Sequence, residues 1–173
     1  MDRKRIVVRV VLLAALLGSC VSVLPAQQKD CSDEKSHEFD FWIGEWEVTA
    51  GDKLAGHNSI QPILGGCVLQ ETWSGAGGSA GSSFNFYDPQ AKKWRQLWVW
   101  RNGTTLELEG DYTDGKMTLE GESVDPKGKK VRNRITWYDN ADGSVRQNWE
   151  VQTAGETTWK TAFDGIYRKT KKN

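Results

Sequence analysis

The sequence predicts an all-β fold, an up-and-down antiparallel barrel of about ten strands that follows a short helical turn. From Glu45 onward, polar and apolar residues alternate with the period of two that strands show, and no segment has helical periodicity. Turn sequences interrupt this alternation at short intervals, among them the hairpin signals Asn102-Gly103 and Asp114-Gly115. Because a closed barrel leaves no strand edge exposed, it is the favoured arrangement for successive short hairpins.

The elements follow one another along the chain in a regular order. Residues 37–42 are expected to form one helical turn that leads into the barrel. The predicted strands are 45–50, 54–63, 67–74, 82–87, 93–101, 104–111, 116–124, 130–138, 144–153 and 157–168. Eighteen glycines against four prolines fit the many tight turns between them. The small-residue segment 75–81 is expected to be a mobile loop at the barrel mouth, since it lacks the Lys-Ser/Thr pair of a phosphate-binding loop.

The first 26 residues have the layout of a secretory signal peptide. A charged start precedes the apolar run 10–17, which is too short to span a bilayer. Cleavage after residue 26 would release a soluble product. Alternatively, residues 17–20 resemble a bacterial lipobox, in which residues 1–19 are removed and Cys20 is lipidated. Either reading predicts a periplasmic or extracellular protein, with membrane contact only through a lipid anchor on Cys20.

The rest of the chain divides into a polar N-terminal segment (27–37), the barrel (38–169) and a charged tail (170–173). The 23 basic and 23 acidic residues of the whole chain cancel, so no global field attracts nucleic acid. We therefore expect no nucleic-acid partner, and we expect a monomer. Nine tryptophans among only 38% hydrophobic residues indicate a partly polar interior, because each indole carries an N–H that needs a partner.

Two cysteines, Cys31 and Cys67, remain after either cleavage. An even number of cysteines in an oxidising compartment indicates a disulfide, which would tie the N-terminal segment to the third strand. The alternative is a pair of unrelated thiols, with Cys67 buried as a small hydrophobic residue. Two cysteines and two distant histidines do not have the spacing of metal ligands, so no metal site is predicted.

The segment Gly44-Glu45-Trp46 on the first strand resembles the Gly-x-Trp signature of the lipocalin-like, or calycin, barrels. In those folds the tryptophan packs across the closed end of the barrel, and an arginine near the last strand lies over it. The resemblance implies that Trp42, Gly44 and Trp46 help to close one end of this barrel, with Arg168 as the arginine. Aromatic side chains at such positions serve packing.

The chain from residue 38 to residue 169 also resembles a bacterial family of exported, uncharacterised lipocalin-like proteins. The matching pieces are FDFWIGEW, GGCVLQETW, SSFNFYDPQAKKW, RITW and FDGIYRK. This resemblance implies a fold and a compartment and no substrate. A related calycin branch binds haem through a histidine near the C-terminus, but no histidine follows His57 here, so no cofactor is expected.

Strand alternation places several polar residues mid-strand beside aromatic residues. The candidate ligand-binding residues are Glu71, Asn85, Gln96, Trp98, Arg134, Gln147 and Trp149. Pointing inward, they would line a cavity with aromatic walls and a few fixed polar groups, as in small-molecule sites. Glu71 and Arg134 would then form an internal ion pair, because charges buried there need partners. The alternative is a polar network that satisfies itself with ordered water and only closes the barrel.

Three functions are consistent with this sequence. The first is binding of a small, partly aromatic or amphipathic molecule inside the barrel. The second is a barrel enzyme of the isomerase or hydrolase type that uses Glu71 and Arg134, and the third is a structural or interaction module with a filled barrel. No catalytic residues are assigned, since neither histidine has an acidic, cysteine or serine partner at an informative spacing. The sequence therefore favours binding over catalysis and leaves the ligand unidentified.

Overall fold

The computed structural model describes residues 31–170 as a barrel with a short N-terminal segment. The predicted signal peptide, the alternative lipid anchor at Cys20 and the last three residues of the tail lie outside the described residues. The strands are β1 (Gly44–Ala50), β2 (Lys53–Ile63), β3 (Val68–Gly75), β4 (Ala80–Asp88), β5 (Lys93–Trp100), β6 (Thr105–Thr113), β7 (Lys116–Val124), β8 (Lys130–Asp139), β9 (Val145–Thr153) and β10 (Lys160–Lys169).

All ten strands pair antiparallel in sequence order, and β1 pairs with β10 to close the barrel. The predicted all-β, up-and-down barrel is therefore confirmed. The single predicted helical turn is replaced by two short 3-10 helices, Glu34–His37 and Asp40–Trp42, and a third, Leu64–Gly66, lies between β2 and β3. Because the strands alternate in direction, the turns divide into two sets at opposite ends of the barrel.

One end of the barrel, called here the closed end, is covered by residues 34–43 and filled by aromatic side chains. Its fully enclosed members are Phe39, Trp42, Trp46, Trp94, Trp137 and Tyr167. Phe39 stacks on Trp42 at 4.9 Å between ring centroids and meets the edge of Trp137 at 5.2 Å. The indole Nε1 of Trp46 donates to the carbonyl oxygen of Trp42 at 2.9 Å, which fixes the turn against β1. The closed end is thus a buried aromatic core.

The expectation that Arg168 lies over Trp46 is wrong. Tyr167 points inward and is buried, so the alternation of β10 directs Arg168 to the solvent. Lys169 is the residue opposite Trp46 in the strand register, and its Nζ lies 5.4 Å from the indole centroid. A cation does cover the tryptophan, but it comes one residue later than the motif predicts.

The predicted disulfide between Cys31 and Cys67 is present, with a Cα–Cα distance of 5.2 Å. Cys67 directly precedes β3 at the closed end, so the bond fastens the N-terminal segment across that end. Such a bond is typical of a non-cytoplasmic protein. Within residues 31–170, no helix has the length and apolar character that a membrane-spanning helix needs.

Candidate functional site

The opposite, open half of the barrel contains a cavity of about 360 Å³. Its walls are mainly aromatic and come from β3, β5, β9 and β10. These aromatic wall residues are Trp73, Trp98, Trp100, Trp149 and Phe163. Small side chains, among them Ala55, Ser79 and Ala80, line it near the turns of the open end. Sites for small molecules commonly have volumes of roughly 300–1,000 Å³, so this cavity is large enough for one small ligand.

Cross-strand packing holds the aromatic walls in place. The indole of Trp98 lies over Gly81 on the neighbouring strand, where an added Cβ would come within 2.4 Å of its ring. Trp98 meets Trp100 edge to face at 5.8 Å, and Trp100 approaches Trp149 at 6.4 Å. The Nε1 of Trp149 donates to Asn133 Oδ1 at 3.1 Å. Because these rings are held by packing over Gly81, by contacts with one another and by the Trp149 hydrogen bond, the walls are largely preformed.

The floor of the cavity is a buried polar network centred on Glu71. Its Oε1 accepts a hydrogen bond from Asn58 Nδ2 at 2.7 Å, and its Oε2 accepts one from Ser83 Oγ at 2.6 Å. Asn85 Nδ2 donates to the same Ser83 oxygen at 2.8 Å, and Gln96 Nε2 donates to Asn85 Oδ1 at 2.7 Å. The network crosses β2 to β5 and separates the cavity from the aromatic core below.

Burial controls the ionisation of the two acidic groups at this floor. It raises the pKa of the Glu71 carboxyl to about 7, although the hydrogen bonds from Ser83 and Asn58 oppose the shift. Burial and the nearby Glu71 also raise the pKa of Tyr167 well above its usual value. Tyr167 therefore stays protonated and donates its hydrogen to Gln147 Oε1. Glu71, by contrast, is poised between its neutral and ionised forms near neutral pH.

The structure brings five of the seven predicted ligand-binding residues to the cavity lining. These are Glu71, Gln96, Trp98, Gln147 and Trp149. Asn85 is fully buried but lies in the polar network beneath the cavity and does not contact it. Its role is to hold Gln96 and Ser83 in position.

Arg134, the remaining predicted residue, lies on the outer wall, so the expected ion pair with Glu71 is wrong. Its Nε and Nη2 donate to Glu150 Oε2 at 3.0 and 2.9 Å, and its guanidinium lies 4.3 Å from the ring centroid of Trp159. The adjacent residues Asn133 and Ile135 are buried, and the alternation of β8 therefore turns Arg134 outward.

We expect Arg134→Met to leave the cavity unaffected. The pair with Glu150 is partly exposed, so its loss should lower the free energy of unfolding by less than about 1 kcal/mol. The pKa of Glu71, followed by NMR of its carboxyl carbon, should not change, because Arg134 does not face it. A shift of that pKa by about one unit in the variant would contradict the outward placement of Arg134.

Several residues of the site were not predicted from the sequence. They are Asn58, Trp73, Ser83, Trp100, Phe163 and Tyr167. Trp73 lies two residues after Glu71, and Trp100 lies two residues after Trp98. Residues two apart on a strand share a face, so the period of two indicates the facing of both tryptophans. Phe163 follows a register shift between β10 and β9, which hides its facing from any simple alternation.

No model of a known protein family matches the chain, and no curated protein matches it either. Within residues 31–170, no three His, Cys, Asp or Glu side chains come together as ligands for a metal ion. The class of protein is described from its fold and site. It is a ten-stranded antiparallel barrel with one filled end and an aromatic-walled cavity in the other half.

Proposed function

We propose that the protein is an exported, monomeric lipocalin-like binding protein that holds one small, partly aromatic or amphipathic molecule in the open half of the barrel. The observation that carries this proposal is the cavity of about 360 Å³, with five aromatic wall residues above a hydrogen-bonded polar floor. Aromatic walls favour flat or aromatic groups, and a few fixed polar groups orient the molecule.

The division of the barrel into two halves supports binding over a purely structural role. A structural or interaction module has no need of a hollow half, whereas here the polar groups at the cavity floor are held by a chain of hydrogen bonds. Hydrogen bonds join Asn58, Glu71, Ser83, Asn85 and Gln96 to one another, so the floor keeps its shape without a ligand. A preformed site of this kind avoids much of the ordering cost of binding.

The alternative of a barrel enzyme loses one of its two proposed groups. Arg134 lies on the outer wall, so it cannot act with Glu71 on a molecule in the cavity. Glu71 alone has the perturbed pKa of many functional carboxyls, but such a shift also accompanies binding sites. Binding is therefore the function that the geometry supports best.

Export is supported by the signal-like N-terminus and by the Cys31–Cys67 disulfide. The mass of the intact protein from its own cells tests this part of the proposal. A chain that starts at Gln27 indicates release, and one that starts at a lipidated Cys20 indicates an anchor. A chain that retains Met1 would contradict export.

We expect Trp98→Ala to weaken binding of the neutral aromatic probe N-phenyl-1-naphthylamine by at least about tenfold, roughly 1.4 kcal/mol. Trp98 forms one wall of the cavity, and its removal deletes a large contact surface. The protein should stay folded, because the cavity leaves one side of this ring without protein contacts. Fluorescence titration of the probe measures the affinity.

Trp159→Ala is the matched control for this experiment. Trp159 packs against Arg132 and Arg134 on the outer wall, so its removal should leave probe affinity unchanged. Equal losses in the two variants, or no loss in Trp98→Ala, would contradict the assignment of the cavity as the binding site.

A further inference from the structure

The floor of the cavity presents a carboxylate to whatever occupies it. We propose that the ligand carries an ammonium or similar cationic group, which binds at Glu71 while its apolar part lies between the aromatic walls. This inference rests on the proposed binding function and adds the charge of the ligand.

The charge of Glu71 has no counterpart in the part of the chain that the structure describes. Of the residues that the structure describes, no Lys, Arg or His offsets its burial, and its two hydrogen-bond donors, Asn58 and Ser83, are neutral. An ionised carboxylate buried without a cation is costly. A ligand ammonium at this point would supply the missing charge.

Carboxylates on the outer wall show the opposite arrangement. Glu150 is paired with Arg134, and the Asp164 carboxylate accepts two hydrogen bonds from the Arg146 guanidinium at 2.8 and 2.7 Å. Glu71 is more deeply buried than either of these acids, with 4% of its surface exposed, yet it lacks such a partner among residues 31–170. The contrast indicates that its partner comes from outside the chain.

The floor also offers a surplus of acceptor sites that no donor within residues 31–170 uses. Each Glu71 oxygen accepts one hydrogen bond from the protein, whereas a carboxylate has sites for about four. The buried Oδ1 of Asn58 has no donor within the described part of the chain. An ammonium group carries three N–H donors and no acceptor, so it matches this surplus.

The position of the aromatic walls suits a cation as well. Glu71, Ser83 and Trp98 occupy one cross-strand row of β3, β4 and β5, and both Glu71 and Trp98 line the cavity. Cations are attracted to the faces of tryptophan rings, most strongly where water is excluded. A carboxylate beside tryptophans therefore favours an organic cation over a neutral molecule of the same shape.

The opposite possibility is a neutral ligand that accepts a hydrogen bond from protonated Glu71. The pKa of about 7 makes both protonation states accessible, so the pH dependence of binding separates the two cases. Among residues 31–170, the only other titratable group that faces this carboxyl is Tyr167 on β10, which stays protonated because its pKa is raised. Asn58 on β2 and Ser83 on β4 carry no charge. A change in affinity near neutral pH therefore reports Glu71.

Three naphthalene compounds of nearly equal size test the proposal: the cation of 2-(1-naphthyl)ethylamine, the neutral 2-(1-naphthyl)ethanol and the anion of 1-naphthylacetic acid. Calorimetric titration near pH 8, where Glu71 is mostly ionised and the amine is still protonated, measures their affinities. We expect the amine to bind at least about tenfold more tightly than the alcohol, and the acetate to bind least. Glu71→Gln should remove the preference for the amine, with the thermal midpoint of the variant confirming that it is folded.

A second measurement uses the unaltered protein, so it does not depend on the folding of a variant. Between about pH 8 and pH 6, affinity for the amine should fall about tenfold as Glu71 becomes protonated, whereas affinity for the alcohol should stay constant. If the alcohol binds as tightly as the amine near pH 8, or gains affinity at the lower pH, the cationic assignment is overturned and the binding function stands. If none of the three compounds binds and N-phenyl-1-naphthylamine also fails to bind, both proposals are overturned.

Discussion

Replacement of Cys31 and Cys67 by serine is expected to lower the free energy of unfolding by about 4 kcal/mol. The two cysteines are 36 positions apart, so the bond closes a long loop and restricts the unfolded chain. The loop contains Phe39 and Trp42, which cover the closed end of the barrel. Loss of the bond therefore also frees the segment that carries this aromatic core. Urea unfolding of the variant and the oxidised protein measures the difference.

Reduction of the unaltered protein should reproduce this loss, and the double-serine variant should be insensitive to the reductant. Binding of N-phenyl-1-naphthylamine to the folded fraction of the variant should be unchanged, because the disulfide lies at the closed end and the cavity lies in the other half. Equal urea midpoints for the oxidised and reduced protein would show that the bond contributes nothing to stability.

Glu71 is expected to make the empty barrel less stable as the pH rises from about 4.5 to about 7. Burial raises the pKa of this carboxyl from 4.5 to about 7, so the folded state binds more protons than the unfolded state in that interval. Stability must therefore fall with increasing pH there, by a total of about 3 kcal/mol. The loss is complete above pH 7 and absent well below pH 4.5.

The Glu71→Gln variant isolates this effect. It should be more stable than the unaltered protein near pH 8 and about equally stable near pH 4.5, since glutamine is neutral throughout. His37 has a raised pKa beside Asp40, but it is exposed and is present in both proteins. Unfolding midpoints at several pH values provide the measurement. A variant that is less stable than the unaltered protein near pH 8 would contradict the burial of an unpaired carboxyl.

A destabilising group of this kind fits a binding role. Functional sites are frequently less stable than a packed core would be at the same place, because they are arranged for a ligand. A bound cation would relieve the cost at Glu71 and so stabilise the folded state by its own binding energy. The proposals on ligand binding and on the charge of the ligand thus both involve Glu71, but each has its own test.

The architecture could be predicted from the sequence because the two signals it needs are local. Alternation with a period of two and turn sequences such as Asn102-Gly103 depend on neighbouring residues only. The predicted strand ends differ from the observed ones by a few residues, as at β10, which begins at Lys160 rather than at residue 157. Because each short hairpin pairs a strand with the next one in sequence, the order of the strands in the sheet follows from the order of the hairpins.

The site could be predicted only in part, because alternation defines two faces of a strand and does not say which one is inside. On β8, both faces carry polar residues: Asn133 points inward and Arg134 points outward. Hydrophobicity therefore does not mark the inner face, and the prediction that Arg134 points inward is wrong. On β5, Trp94, Gln96 and Trp98 share a face rich in tryptophan, and this face points inward.

Two further features depended on the closed barrel itself. The cavity of the open half is lined by residues of β3, β5, β9 and β10, so no single strand encodes it. The cation above Trp46 comes from Lys169 because the register of β1 with β10 places these two residues opposite each other. Register and closure are properties of the whole sheet, so a motif on one strand predicts them only approximately.

Native mass spectrometry tests the claim that the open half is a ligand-binding cavity most directly. The protein would be purified from its own cells without denaturation, alongside Trp98→Ala, and measured before and after addition of 2-(1-naphthyl)ethylamine. We predict that the unaltered protein carries or takes up one small molecule, that denaturation releases it, and that Trp98→Ala retains less of it. The account would be contradicted if the unaltered protein carries no small molecule on purification and, like Trp98→Ala, takes up none of the added compound.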